Sequence, residues 1–417
     1  MKTNLKPELR AHILQDLQAT GRAGPCNTTA GTGPVHTVYE GAHLLREDTF
    51  TRFGRVARET LMSHGRDHRR FCEVLTGSHH EEAISRPVWD QLNRRLQSLP
   101  VEDYRADFED GYGVRSPGEE HDHAIHAAGV FAAAAAAGTL PPGYGIRIKC
   151  LDHDTADQAI STLDVFLTAL ATACGPACPP GLTITLPKVT QSAQPAALDR
   201  LLSQLEETLP ALPPVRMELM VETSGSLVDR SGRLLLPSLV DAAGGRCTGV
   251  HLGVYDYTSA LGISSHQQTP VNAVCEFARR WMQLCLGDRP VRLSDGAWNQ
   301  VPSGSPDAIV SLWQQSWQGI TAAMTAGIYQ GWDLLPEQLP ARYGSVYLFY
   351  RQGLTEATRR LQAWNKRKAA TSADAGVMDD AATAAGLQRF FARALQCGAI
   401  TRDEFVAAGA TPEDSHG

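Results

Sequence analysis

Several signatures are missing from this sequence, and each absence removes a class of function. No apolar run approaches the roughly 18 residues that a membrane-spanning helix needs. The alanine tract over 131–137 is far too short and reads as the tail of a buried helix. The phosphate-cradling patterns GxGxxG and GxxxxGK[ST] are absent, which removes the usual nucleotide loops; Gly31-Thr32-Gly33 precedes its strand and is turn material. Ser224 and Ser226 stand near Glu222, but without GxSxG a serine hydrolase is disfavoured. No short internal repeat is visible, so a solenoid or propeller is not expected. A formal net charge of only -7 over 417 residues gives no electrostatic reason to expect nucleic acid. The nine cysteines are odd in number and scattered, so reduced thiols in the cytoplasm are expected. Cys174 and Cys178 lack a second pair at zinc-ribbon spacing and read as loop cysteines. The opening segment, MKTNLKPELRAHILQDL, lacks the apolar core of a signal peptide, in line with a cytoplasmic expectation.

What is present is a recurring unit, a short apolar strand followed by an amphipathic helix. Strands are expected over 35–39, 104–108, 144–148, 182–186, 216–221 and 248–254, with weaker ones over 291–293 and 327–329. Helices are expected over 157–172, 198–209 and 271–286; the first carries an apolar stripe through Ile160, Leu163, Phe166, Leu167 and Leu170. Eight strands with intervening helices and polar residues after the strand ends point to a (β/α)8 TIM barrel, an α/β fold. The expected organisation is an N-terminal helical segment over 1–34, the barrel over 35–345 with a helical insertion at about 50–99, and a C-terminal helical extension over 346–417. In that extension a helix runs from about 351 to 367, AATSADAG reads as a linker, and a last helix covers 379–397.

In a parallel barrel the chemistry sits at the C-terminal ends of the strands. There the sequence places Asp107, Glu109 and Asp110 (RADFEDGYG), Arg147 (GIRIK), Lys188 (TLPKV), Glu222 (ELMVETSG) and Asp256 (GVHLGVYDYTSALG). Hard divalent cations take oxygen ligands, usually one or two carboxylates with water and substrate completing the shell. Glu222 and Asp256 follow two successive apolar strands. Either alone reads equally well as a helix-capping acid; with Arg147 and the 107–110 acids the pair reads as a metal site.

These motifs, in this order, resemble those of the citrate lyase β-subunit and malyl-CoA lyase family, within the wider HpcH/HpaI aldolase superfamily. The family patterns are similar to DLEDA, VRVN, LPKVE, an IET strand and GxxDLxxxLG, and GIYQGWDLLPEQL is similar to its GxxGKxxIHPxQ eighth strand. The match spans about 35–342. The resemblance implies a Mg²⁺-dependent carbon–carbon lyase or aldolase, with Mn²⁺ as an alternative ion, that cleaves a 3-hydroxy acid or its coenzyme A thioester through a metal-stabilised enolate. It implies Glu222 and Asp256 as metal ligands, and Arg147, Lys188 and Gly253 at the substrate. Asp107, Glu109 and Asp110 would anchor water on the metal and orient Arg147. A divalent ion and a guanidinium together stabilise the charge that develops when a bond beside a carbonyl breaks. The resemblance also implies a trimer or hexamer, with the C-terminal helices as interface material. The chain departs from the family in its first strand (HTVYEGAHLL for LFVPG), at Lys149 (IRIK for VRVN) and at Leu334-Leu335-Pro336 (for IHP). The same barrel could instead serve an acyl-CoA thioesterase or a non-catalytic subunit that binds an oxo acid.

Other residues carry weaker signals. His121, His123 and His126 read as a solvated helix start, and His79-His80-Glu81-Glu82 as a charged loop or helix start. His36 and His251 read as satisfied core histidines. Asp295 reads as a general acid or base, or equally as a turn residue before Gly296. Arg342-Tyr343 is open to holding an anionic tail or to a structural use.

Overall fold

The computed structural model describes residues 33–287, 289–302, 305–369 and 380–411. The expected N-terminal helical segment and the linker fall almost wholly outside them. Eight parallel strands form one sheet: β1 (His36–Gly41), β2 (Asp103–Asp107), β3 (Gly143–Arg147), β4 (Leu182–Leu186), β5 (Arg216–Val221), β6 (Cys247–Leu252), β7 (Arg292–Ser294) and β8 (Gly331–Asp333). Each strand from β1 to β6 pairs with its successor in sequence, and β8 pairs with β1. A single parallel bridge between Ser294 and Gln330, with the Asp295 N–H donating to the Gln330 carbonyl at 2.8 Å, brings β7 and β8 together and all but closes the barrel. Strands such as LTITL are buried throughout because helices cover their outer face while the lumen is filled by side chains.

The helices are α1 (Thr49–Thr60), α2 (His68–Thr76), α3 (Glu82–Ser98), α4 (Pro117–Ala136), α5 (Ala156–Cys174), α6 (Ala193–Thr208), α7 (Leu236–Asp241), α8 (Val254–Ala260), α9 (Ala273–Leu286), α10 (Pro306–Thr325), α11 (Leu339–Ala369), α12 (Ala381–Gln396) and α13 (Arg402–Ala407). Their starts follow local chemistry. Ser116 and Glu119 form a capping box before α4, with Pro117 in its first turn. Asp67, Asn272 and Asp380 each accept backbone N–H groups at the starts of α2, α9 and α12.

Two expectations shift. The eighth strand lies at 331–333 rather than 327–329, because Gly327 (φ 87°) ends the helical turn after α10 and residues 328–330 lead into the closing bridge. The long helix begins at Leu339, well before 351, because Leu339, Tyr343, Val346, Tyr347 and Tyr350 give it a buried apolar face. It therefore runs through position 345. The 50–99 insertion is α1–α3 with a π-helical turn at Leu61–Gly65, and it packs on α10 and α11 through Phe71 and Trp313, whose ring centroids are 5.5 Å apart. Gly344 permits that approach, since a Cβ there would lie 2.5 Å from Phe71 Cζ. α12 docks on α11 through Tyr350 and Phe390.

The lumen holds charge, and every charge there is paired. Glu218 meets Arg105 at 2.8 Å, Arg292 at 3.2 Å and His251 at 3.3 Å, and Arg105 also binds Asp103. Near the end of the barrel, Asp333 accepts from His36 Nδ1 at 2.7 Å and from Arg342 Nε at 3.0 Å, tying β8 to β1 and α11. Arg342 thus has a structural use. His36 is satisfied as expected, its Nε2 accepting the Glu102 N–H. Removing one partner of a buried ion pair strands the other, at a cost of about 3–5 kcal/mol. Asp333→Ala should lower unfolding stability by about that much in urea titration; a loss under about 1 kcal/mol would mean that the pair does not hold the barrel shut.

Candidate metal centre

The loop after β2 folds around one carboxylate. Asp107 accepts N–H groups from Glu109 at 2.9 Å and Gly111 at 2.7 Å, and receives Arg147 in a fork, Nε at 2.6 Å and Nη2 at 2.5 Å. The two residues end adjacent strands in register. Arg147 is 4% exposed, with Nη1 3.5 Å from Met220 Sδ and 3.4 Å from Glu109, and its guanidinium carbon is 5.3 Å from the Tyr39 ring centroid. Burial works against its charge, but Asp107 and Glu109 outweigh burial and hold it firmly protonated. Asp107 is therefore an orienting acid: both oxygens are committed to Arg147 and the loop.

That loop delivers the next two acids outward. Lys188 reaches back across the strand ends and bonds Glu109, Asp110 (2.9 Å) and, more loosely, Asp256 (3.8 Å). Lys188 is one of only two non-glycine residues among those described with a left-handed backbone (φ 52°), a conformation that costs roughly 1 kcal/mol or more. The twist lets one residue serve both sides of the cluster, since its N–H donates to Glu222 Oε2 at 2.6 Å while its ammonium meets Glu109, Asp110 and Asp256. Glu222 follows β5 and is fully buried. A Cβ on Gly253, which follows β6, would lie 2.4 Å from Glu222 Cγ, so that position must be glycine for Glu222 to fit.

Asp110, Glu222 and Asp256 each offer a carboxylate oxygen within 4.8 Å of the others, and no other such group of three His, Cys, Asp or Glu residues occurs among the described residues. Burial, with the charges of Glu109 and Asp256, pushes the Glu222 carboxyl up to about 8 against the opposing pull of Arg147. Asp256 is raised by burial and by Asp110. Glu109 and Asp110 share a hydrogen bond and split, Glu109 upward through burial and Asp110 downward because Glu109 and Lys188 outweigh its burial. Five carboxylates thus face two cationic side chains. A hard divalent ion fits both the donor set and the charge imbalance.

A groove of about 720 Å³ opens beside this cluster, lined by Lys188, Glu222 and Asp256 and by Cys150, Gln191 and Gln194, and it runs between the starts of α5 and α6. Of the residues singled out from sequence, Asp107, Glu109, Asp110, Arg147, Lys188, Glu222, Gly253 and Asp256 come together here. Lys149 turns away to the Phe108 carbonyl and Glu120. Asp295 is paired with Arg279 at 2.8 Å. His123 bonds the Tyr112 hydroxyl and His126 the Leu45 carbonyl, so the three histidines do not converge. Sequence reading missed Tyr39 and Met220, which wall Arg147; their only signal is their inward register on β1 and β5. It also missed Cys150, Gln191 and Gln194 of the groove, which lie in the segments between β3 and α5 and between β4 and the first turn of α6.

The chain belongs to the family described as "Domain of unknown function (DUF6986)", whose model matches residues 18–416. No curated protein matches it. Among solved structures, a citrate lyase from Burkholderia xenovorans LB400 is similar at 19% identity and a TM-score of 0.57, over 76% of this chain and 91% of that one. CitE from Mycobacterium tuberculosis, in complex with magnesium and acetate, shares 18% identity at a TM-score of 0.44, over 77% and 93%. Malate synthase from Haloferax volcanii, as a magnesium/glyoxylate complex, shares 12% at 0.45, over 72% and 91%. At these identities the likeness to the first establishes the barrel fold. No helix among the described residues is long and apolar enough to cross a membrane.

The raised Glu222 pKa has a consequence for the metal-free protein. A carboxyl whose folded pKa (about 8) lies above its ordinary value of 4.5 keeps a proton that the unfolded chain gives up. Its contribution to stability is complete below the ordinary value and is lost as pH rises through about 8. In EDTA, Glu222→Gln should therefore be less pH-sensitive than wild type in thermal unfolding between about pH 5 and about pH 9. Parallel curves for the two proteins would show that Glu222 is not the buried acid described.

Proposed function

We propose that this DUF6986-family barrel is a metal-dependent carbon–carbon lyase or aldolase that reversibly cleaves a 3-hydroxy acid or its coenzyme A thioester, releasing a 2-oxo acid or a related carbonyl fragment. The observation that carries the reading is the convergence of Asp110, Glu222 and Asp256 within 4.8 Å, beside an arginine clamped at the mouth of the barrel. Asp110, Glu222 and Asp256 would hold the cation, Mg²⁺ or alternatively Mn²⁺. Bound there, the ion supplies Lewis-acid charge to the oxo and carboxylate oxygens of the substrate.

The remaining work falls to side chains. Arg147, oriented by Asp107 and walled by Tyr39 and Met220, offers a fixed guanidinium to the substrate carboxylate or to the enolate oxygen. A preoriented charge of this kind acts without reorganising when the bond breaks. Lys188 Nζ neutralises Glu109 and Asp110 and holds them facing Asp256. Gly253 leaves the space that Glu222 occupies. The groove between α5 and α6 is larger than a small oxo acid needs, which favours a substrate with an extended tail, as a thioester has.

EDTA should abolish turnover and Mg²⁺ should restore it, while Glu222→Gln and Asp256→Asn lose at least about 1,000-fold in kcat and stay folded. Full activity in a metal-free preparation would overturn the mechanism. Arg147→Lys keeps the charge but loses the fork to Asp107, and should lower kcat about 100-fold with a smaller change in KM; a change in KM alone would reduce Arg147 to ground-state binding. Product analysis decides the class. Release of a 2-oxo acid supports the lyase, whereas free acid and thiol alone would make the protein a thioesterase. Mg²⁺-dependent binding of oxo acids without turnover would make it a binding subunit.

A further inference from the structure

A second cavity lies at the opposite end of the barrel. It has a volume of about 370 Å³ and is bounded by residues at the amino ends of β1, β7 and β8, by α11, and by Arg389, Arg393 and Gln396 of α12. Among the described residues, its walls contain no acidic side chain. Arg393 lies 4.1 Å from the Tyr329 ring centroid, and its Nε is buried with no hydrogen-bond partner. Arg389 has no ion pair among the described residues. A third guanidinium, Arg292, reaches the cavity while holding Glu218 in the lumen at 3.2 Å and Gln330 Oε1 at 3.3 Å. Two near-parallel aromatic rings line it, Tyr329 and Tyr350, with centroids 6.5 Å apart and planes 16° from parallel.

Arg292 is neutralised by Glu218, but Arg389 and Arg393 have no ion pair among the described residues and repel one another, and a buried donor without an acceptor is unfavourable. Both conditions are relieved by an anion, and the enclosing aromatic and aliphatic surface favours one with a flat apolar body. This chain is net acidic, so three guanidinium groups at one cavity whose described lining holds no acid run against its overall charge. The strands separate this cavity from the carboxylate cluster by about 20 Å, too far for one small ligand to touch both.

We propose that this cavity is a second ligand site, one that takes a small organic anion with a phosphate or carboxylate on a flat apolar body. Arg389 and Arg393 grip the anion, and Tyr329 and Tyr350 receive the body. Because α12 supplies two of the guanidinium groups, the C-terminal helices complete a binding site on the barrel floor.

The test is calorimetric titration of the full-length protein with phenyl phosphate and, separately, benzoate, each in EDTA and again in Mg²⁺. Saturable binding that is unaffected by Mg²⁺ is expected, and the two probes rank phosphate against carboxylate. Arg389→Gln and Arg393→Gln should each weaken it at least about tenfold, with the exposed Arg230→Gln unchanged. Arg393 packs on Tyr329, so Arg389→Gln, which removes no ion pair among the described residues, guards against a folding artefact. Absence of saturable binding overturns the proposal. So does binding that both arginine variants retain, or binding that Mg²⁺ creates, since either places the probe elsewhere.

Discussion

The carboxylate–guanidinium fork between Asp107 and Arg147 is the constraint on which the upper face of the barrel depends. Both residues end strands, both are buried, and they are neighbours in register. A buried pair of this kind is tolerable only when its remaining hydrogen-bonding capacity is met. Asp107 meets its own with the N–H groups of Glu109 and Gly111, which bends the following loop around it. That bend is what turns Asp110 toward Glu222 and Asp256. Lys188 then joins the loop to β5 by adopting a backbone conformation that most residues avoid. Strain at such a position persists when its neighbours over-determine it, and here four carboxylates do so.

The barrel separates its unbalanced charges along its axis. Acids exceed bases at the carboxyl ends of the strands, and bases exceed acids in the cavity at the amino ends. Between them the lumen is neutralised locally: Glu218 is shared by Arg105, His251 and Arg292, and Thr185 stands between Arg105 and the Tyr39 hydroxyl. Contacts therefore run without a break from Arg292 at the floor to Tyr39 beneath Arg147. Contiguity alone is not coupling, but it means that neither end is insulated from the other by a plain hydrocarbon core.

Much of this was legible in the residues. The boundaries of β4 and β5 were legible because apolar residues dominate both runs, as expected of strands buried on both faces, and Thr183, Thr185 and Glu218 interrupt the runs without ending them. The acids and bases at the strand ends could be named, since a parallel barrel puts its loops at one end. The sequence could not say which of Glu109 and Asp110 faces the other carboxylates. Adjacent residues point differently only once the loop path is known, and that path is set by Asp107. Strand β8 was misplaced because three residues carry too little periodicity, and its position depends on a bridge to Gln330. The arginine cavity was invisible because its walls come from segments over 350 residues apart.

Glu222 gives the strongest physical reason to read the upper site as a cation site rather than as a set of helix caps. A capping acid lies at a helix start, is largely solvated, and has its pKa lowered by the N–H groups it accepts. Glu222 is buried, accepts one N–H, from Lys188, and is nevertheless pushed up to about 8. Folding thus places an acid where, ionised, it is unfavourable unless another positive charge arrives. Lys188 does not supply that charge to Glu222, because its ammonium is engaged with Glu109 and Asp110, and Arg147 is held by Asp107. A divalent ion shared with Asp110 and Asp256 is the remaining source of charge of the right sign and size, and its affinity would rest on the burial that raises the Glu222 pKa.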